Sequence, residues 1–337
     1  MKKTTWSFGT VCLGMLLCCA APGYGQEKKE LLTISYASVS GTRAPLWIAK
    51  DLGLFDKYGL DGNLVYIASG VTSVNALLGG SVHVIAASGS SAIGAAARGA
   101  PVVIMASLGA IAYKLIALPS ITSLQGLKGK VIGSSRFGAG SDYALRRLLP
   151  KLGLTPGKDV QLIPTGISES DRRIGIMLQG RIDATIATVD NILQLELQGQ
   201  KVSVLADLLE QGVYTTGSDI STSRAFMKDK RRQLKGFLMG MTEAIKLGRG
   251  NKELTFRIYR KYMHVEDLRL LESMHKNYLL GTIPQKPFPR EEALQNDIED
   301  LSFTYPTLKG RRIEEFTDLS LVKELENEGF FTRLYGK

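Results

Sequence analysis

Two stretches of this chain, residues 32–88 and 130–188, carry the same ordered signals for a βαβαβ unit. The first strand of each runs into serine, as Thr33-Ile34-Ser35-Tyr36-Ala37-Ser38 and as Val131-Ile132-Gly133-Ser134-Ser135. The second ends as Ile67-Ala68-Ser69-Gly70-Val71-Thr72 and as Ile163-Pro164-Thr165-Gly166-Ile167-Ser168. The third match sets Leu78-Gly79-Gly80 and Val82 to Ser88 against Leu178-Gln179-Gly180 and Ile182 to Thr188. From Ile67 to Ile163 the offset is 96, and from Leu78 to Leu178 it is 100, which lengthens the last helix of the second unit by about one turn. Three matches in one order set the pattern apart from chance similarity of βαβ stretches. Open parallel sheets bind ligands at the carboxyl ends of their strands. The repeat therefore predicts two α/β lobes that face each other across a polar cleft.

A chain of 337 residues is long enough to give each lobe its own core. Its first 25 residues read as a signal peptide rather than fold: Lys2 and Lys3, an apolar run from Phe8 to Cys19, then Gly23-Tyr24-Gly25 before a cleavage point at Gln26. Leu16-Leu17-Cys18-Cys19 loosely resembles a lipobox but lacks the small residue ahead of the cysteine. Cys12, Cys18 and Cys19 are the three cysteines, so a chain cleaved before Gln26 has neither thiol nor disulfide. That excludes cysteine nucleophiles, zinc–thiolate sites and iron–sulfur clusters from the mature chain. The formal charge of +10 falls to +8 when Lys2 and Lys3 leave, since residues 1–25 hold no acid. The densest basic cluster, Lys228 to Arg232 with Lys235, reads as a solvated helix face or as a contact for an anionic or transporter surface. It lacks the interleaved aromatics of a nucleic-acid platform, so no nucleic acid is expected as a partner.

The periodicity divides the chain into a signal peptide (1–25), a first lobe (26–118), a second lobe (119–219) and a return to the first lobe (220–337) that ends in helices. Pro45 opens a helix in its first turn, and Thr72 and Ser73 are candidate caps for the next. Beyond Ser223 the apolar residues Phe226, Leu234, Phe237, Leu238, Met241 and Ile245 follow helical spacing.

Pro45-Leu46-Trp47-Ile48-Ala49-Lys50, Gly53-Leu54-Phe55 and Tyr58-Gly59-Leu60 resemble the opening signature of periplasmic solute-binding proteins of ABC transporters, the group of alkanesulfonate, taurine and thiamine-precursor binders. Leu124 to Gly133 is similar to that family's passage into its second lobe, and Asp318 to Phe330 to its C-terminal helix. The resemblance covers the mature chain. It implies the type II periplasmic binding fold, a hinge that closes on a small ligand, a membrane permease as partner, a monomer and a periplasmic location. Two rivals keep the scaffold: an enzyme of thiamine-pyrimidine synthesis, and a sensor domain that presents ligand to a receptor. The enzymes use a cysteine-rich iron segment that the mature chain lacks.

Hydroxyl and glycine density marks the candidate ligand contacts: Ser38, Ser69, Gly70, Ser88, Gly89, Ser90, Ser141 and Thr165 at strand ends and helix starts. Free amides at helix starts bind anions, or are met by capping side chains. Arg43 and Arg136 are candidate partners for an anionic solute, or for an ion pair between lobes. Phe137, with Tyr143 and Tyr214, offers an apolar wall or ordinary packing. Asp190 can receive an amine or hydroxyl, or cap a helix. His83 is expected in the core, and His264 and His275 have no metal spacing. No catalytic set, metal site or cofactor motif emerges.

The exported protein is expected to begin at Gln26 and to carry no lipid. Intact mass of secreted material checks this, and a diacylated Cys18 or Cys19 would contradict it.

Overall fold

The computed structural model describes residues 1–4, 29–167 and 169–336, so most of the signal segment, with its three cysteines, lies outside the described residues, as does Ser168. In chain order the strands are β1 (Glu30–Tyr36), β2 (Leu60–Tyr66), β3 (Val84–Ala87), β4 (Val102–Ser107), β5 (Tyr113–Ala117), β6 (Val131–Ser134), β7 (Gln161–Pro164), β8 (Ala184–Thr188), β9 (Ser203–Asp207) and β10 (Asp219–Ser223). They form two five-stranded sheets, ordered β2-β1-β3-β10-β4 and β7-β6-β8-β5-β9. In each sheet the first three strands are parallel, and the fourth, β10 or β5, is antiparallel to its neighbours. The two orders map onto one another position by position, so the repeat in the sequence is a repeat in space.

The register corrects the alignment. Ile34 pairs with Leu64 and Val84, and Ile132 pairs with Leu162 and Ala184. Equivalent positions are thus 98 apart in the first two strands (34 to 132, 64 to 162) and 100 apart in the third (84 to 184). Sequence matching gave 96 for the first two because a slip of two residues leaves each side chain on its own face. The lobe boundary also moves. β5 belongs to the second sheet, so the chain crosses between Ser107 and Tyr113 and returns between Asp207 and Asp219. Apolar spacing marks Ile111 to Leu118 as a strand but carries no information on which sheet receives it.

The two crossing segments meet at a bridge between Ala110 and Thr216, and the Leu108 amide donates to the Ser218 carbonyl at 2.8 Å. Gly109 has a φ of +97° there, and a Cβ on it would fall 2.0 Å from the Thr282 carbonyl oxygen. Only glycine lets the crossing pass this close to the helical segment beyond it.

Helix Arg231–Gly250 carries the first lobe's core. Leu234, Phe237, Leu238, Met241, Ala244 and Ile245 recur at three and four residues and are fully buried. They pack on Trp47, Phe55 and the C-terminal Leu321, Val322 and Leu325. Outside this stripe three cations of the basic cluster are paired within the lobe, Arg231 and Lys235 on Glu324 and Arg232 on Glu30. His83 accepts the Thr33 amide at 2.9 Å and stacks on Phe226. Among the described residues no helix is long and apolar enough to cross a membrane.

Phe237 stacks on Phe55 with ring centroids 5.7 Å apart. Phe237→Ala is expected to lower stability by about 3–5 kcal/mol, because a core cavity is added to the lost transfer energy. Urea unfolding followed by tryptophan fluorescence measures it.

Candidate functional site

A cleft of about 670 Å³ opens between the lobes, to one side of the crossing. The first lobe contributes the loop after β1 (Ala37 to Ser40, with Thr42), Tyr66 at the end of β2, and Ala68. Ile111 and Tyr113 of the outgoing crossing form its floor. From the second lobe come Glu169 to Arg172 at the start of helix Ser170–Leu178, and Thr188, Asp190, Asn191 and Gln194 at the start of helix Val189–Leu197. The C-terminal helices complete the wall with Met263 to Asp267, Leu270, Met274 and Tyr278.

Asp190 is the deepest carboxylate. It is 9% exposed and accepts a 2.5 Å hydrogen bond from the Tyr278 hydroxyl on the opposite lobe. Burial pushes its carboxyl above the usual range against the pull of Tyr278 and Thr188, and burial beside Asp190 holds the Tyr278 phenol well above its own. Tyr278 sits in a π-helix, His275–Thr282, whose wider turn aims the ring over Gly41. A Cβ on Gly41 would lie 2.1 Å from that ring, so the tyrosine reaches the cleft only above a glycine. A second bond crosses the mouth, from the Tyr66 hydroxyl to Glu169 at 3.3 Å. Tyr113, half-buried between the lobes, is raised by burial and pulled down by Arg173 and Arg43.

Two of the residues singled out in the sequence border this cleft, Ser38 and Asp190. Arg43 lies beneath Ser38, fully buried. Its guanidinium donates to Ser218 Oγ at 2.5 Å, Ser38 Oγ at 3.1 Å and the Gly217 carbonyl at 3.4 Å. Burial lowers it to about 10, so it stays charged at neutral pH, opposite the buried Asp219. It fastens the return crossing rather than bordering the cleft.

The other candidates do not border it. Ser69 caps helix Gly70–Leu78 through the Thr72 amide, and Gly70 lies against Ser91. Ser88 bonds Ser90 and Thr216, and the Gly89 amide donates to Asp219. Ser141 bonds Ser135, and Thr165 donates to the Ser134 carbonyl. Arg136 is exposed, with its Nε 3.5 Å from the Gly166 carbonyl, and Phe137 is 63% exposed beneath the Arg146 guanidinium. Of the other proposed walls, Tyr143 is core and Tyr214 lies under Arg290. On this second side the lobes are in contact. A Cβ on Gly140 would stand 3.4 Å from Ser88 Oγ, and Arg147 binds Asp300 and Glu299 across the interface. The hydroxyls there bond one another, and of the strand-end serines only Ser38 borders the cleft. The aromatic and acidic border was missed because its C-terminal part joins the cleft only through tertiary packing. His264, at a φ of +55° as the cap of helix Lys252–Met263, is one such residue.

The paired sheets, the double crossing and a cleft walled by both lobes define a two-lobed periplasmic binding protein fold. Solved structures agree. A Bordetella bronchiseptica RB50 protein shares 18% identity over 92% of this chain and 99% of that one, with a TM-score of 0.73. The periplasmic aliphatic sulphonate binding protein SsuA of Escherichia coli shares 21% over 87% of this chain and 91% of that one, at 0.65. The periplasmic nitrate-binding protein NrtA of Synechocystis PCC 6803 shares 17% over 89% of each, at 0.69. No curated protein is matched by the sequence. The family model described as NMT1/THI5 like matches residues 41–250, and the chain belongs to that family.

The buried acids behind the crossing give a testable slope. Burial raises the Asp219 carboxyl from 3.8 to about 6, and holds Asp297, bonded to Thr216, well above its usual value. The folded state therefore keeps a proton that the unfolded chain releases above pH 3.8, and stability falls as pH rises from about 4 to about 6. Asp219→Asn is expected to flatten part of that fall, read as urea midpoints between pH 4 and 7.

Proposed function

We propose that this chain is the exported solute-binding component of an ABC-type uptake system. It captures a small organic solute between its lobes and presents the closed form to a membrane permease. One observation carries the reading: the cleft takes its walls from both lobes, and Tyr278–Asp190 and Tyr66–Glu169 bond across it. Such bonds exist only when the lobes are together. A solute that touches both walls favours the closed state by the difference between its contacts in the two states. The named sulphonate- and nitrate-binding proteins share this architecture, and family membership and the signal-like N-terminus support export.

In this reading the protein acts by binding, as the named sulphonate- and nitrate-binding proteins of the same fold are described to do, and without turnover. The anionic solute expected from the sequence rested on Arg136 and on the helix starts at Gly89 and Gly140. None of these borders the cleft, so the anionic charge is not carried into the proposal.

A bound solute at ~100 times its dissociation constant is expected to add about 2.7 kcal/mol of stability. Differential scanning fluorimetry across a metabolite panel detects it, and mass spectrometry of the recovered compound is expected to show it unchanged. A chemically altered product would contradict the binding role. Gly41→Ala is expected to weaken the same binding at least tenfold by displacing the Tyr278 ring, as isothermal titration would report.

A further inference from the structure

The proposal that this cleft holds a solute leaves open what kind, and the inference here rests on that reading. Asp190 is nine-tenths buried, yet its hydrogen-bond partners are the Tyr278 hydroxyl, Thr188 and its own amide, with no cationic side chain among them. A carboxylate removed from water without a cation is costly, and its place in the first turn of helix Val189–Leu197 offsets only part of that cost. Three other acids have a cation at hand: Asp142 has Arg146, Asp207 has Lys114 and Asp300 has Arg147, whereas the buried Asp219 and Asp297 lie behind the crossing with hydroxyl and amide partners. Asp190 alone of these borders the cleft.

The rest of the border has the same sign. Glu169, Asp171, Glu266 and Asp267 surround the opening, against Arg172 and His264, with Glu266 paired to Arg260 and Asp267 to Arg269 at the rim. A cleft lined by one sign of charge draws in the opposite charge and turns away its own. The tyrosines 66, 113 and 278 add ring faces that attract cations. Arg43 does not reverse the balance, because its donors hold Ser38, Gly217 and Ser218.

We propose that the solute carries an aliphatic amine, and that its N–H groups are received by the Asp190 carboxylate beside the Tyr278 hydroxyl. Opposite charge supplies the partner that the folded chain leaves out. An N–H donor also fits a carboxylate whose two oxygens offer about four acceptor positions, one more than the three donors already named. A purely anionic solute would meet Asp190 and an acidic border on which Arg172 is the one lysine or arginine among the described lining residues.

Matched probes test this on the full mature protein: primary aliphatic amines, each beside the same skeleton with hydroxyl in place of amino, with ethanesulfonate and nitrate as anion probes. Amines are expected to raise the melting temperature where their hydroxyl counterparts and the anions do not. Asp190→Asn preserves the acceptor for Tyr278 and is expected to weaken amine binding about tenfold or more, the loss of one charge-assisted bond. Tyr278→Phe keeps the carboxylate and is expected to keep the preference for amine over hydroxyl. Equal binding of hydroxyl probes, tighter binding of the anions, or an amine affinity within twofold of wild type in Asp190→Asn would overturn the inference while leaving solute binding intact. If no probe of any set shifts the melting temperature, the solute-binding reading fails and this inference falls with it.

Discussion

Arg43 is a buried guanidinium whose donors end on the chain where it recrosses between lobes. Through Ser218 and Gly217 it fixes the return segment, through Ser38 it fixes the loop that starts the cleft, and its charge faces Asp219. The Nε has no hydrogen-bond partner. A cation at that depth is tolerated because oxygens surround it and a carboxylate lies near. Everything that makes this a two-lobed protein passes through the place it holds. β5 and β10 are the fourth strands of opposite sheets, and both attach directly to the crossing segments. In the proposed function, a crossing fixed in this way would let the lobes move as bodies while the strand ends keep their aim.

The closing motion of the proposed function would then have a defined geometry. On one side of the crossing lies the cleft, latched by two tyrosine hydroxyls on two carboxylates. On the other side Arg147 meets Asp300 and Glu299, and Gly140 abuts Ser88. In the proposed function, the wall contacts of a solute add to whatever these contacts supply and favour the closed state. The π-helix under Tyr278 fits this role. Arg249 binds the Leu279 and Ile283 carbonyls, which steadies the segment from the far side of the cleft.

Much of the fold was legible because it is periodic. Alternation in β1 and β6 and the recurring Leu-x-Gly before the third strand survive in both lobes. The slip of two residues was not legible, since inward and outward faces return every second residue. The site was legible only in part. Ser38 and Asp190 were singled out because the cleft does lie at strand ends, as the repeat implies. Both lobes present such ends on each side of the crossing, and sequence does not say which side closes. Ser88 and Ser141 proved to serve the closed side, bonded to Thr216 and Ser135. Tyr278, His264 and Asp267 carry no strand-end signal, and the i+5 turn that delivers Tyr278 has no apolar period of its own.

Lobe closure over the cleft is the central claim, and distance measurement between spin labels tests it most directly. Glu196→Cys and Arg269→Cys place labels on helices Val189–Leu197 and Leu268–Met274, on opposite sides of the cleft. Double electron–electron resonance is expected to give a long, broad distribution without solute and a shorter, narrower one when a compound that raises the melting temperature is added. A distribution unchanged by a bound compound would contradict the account.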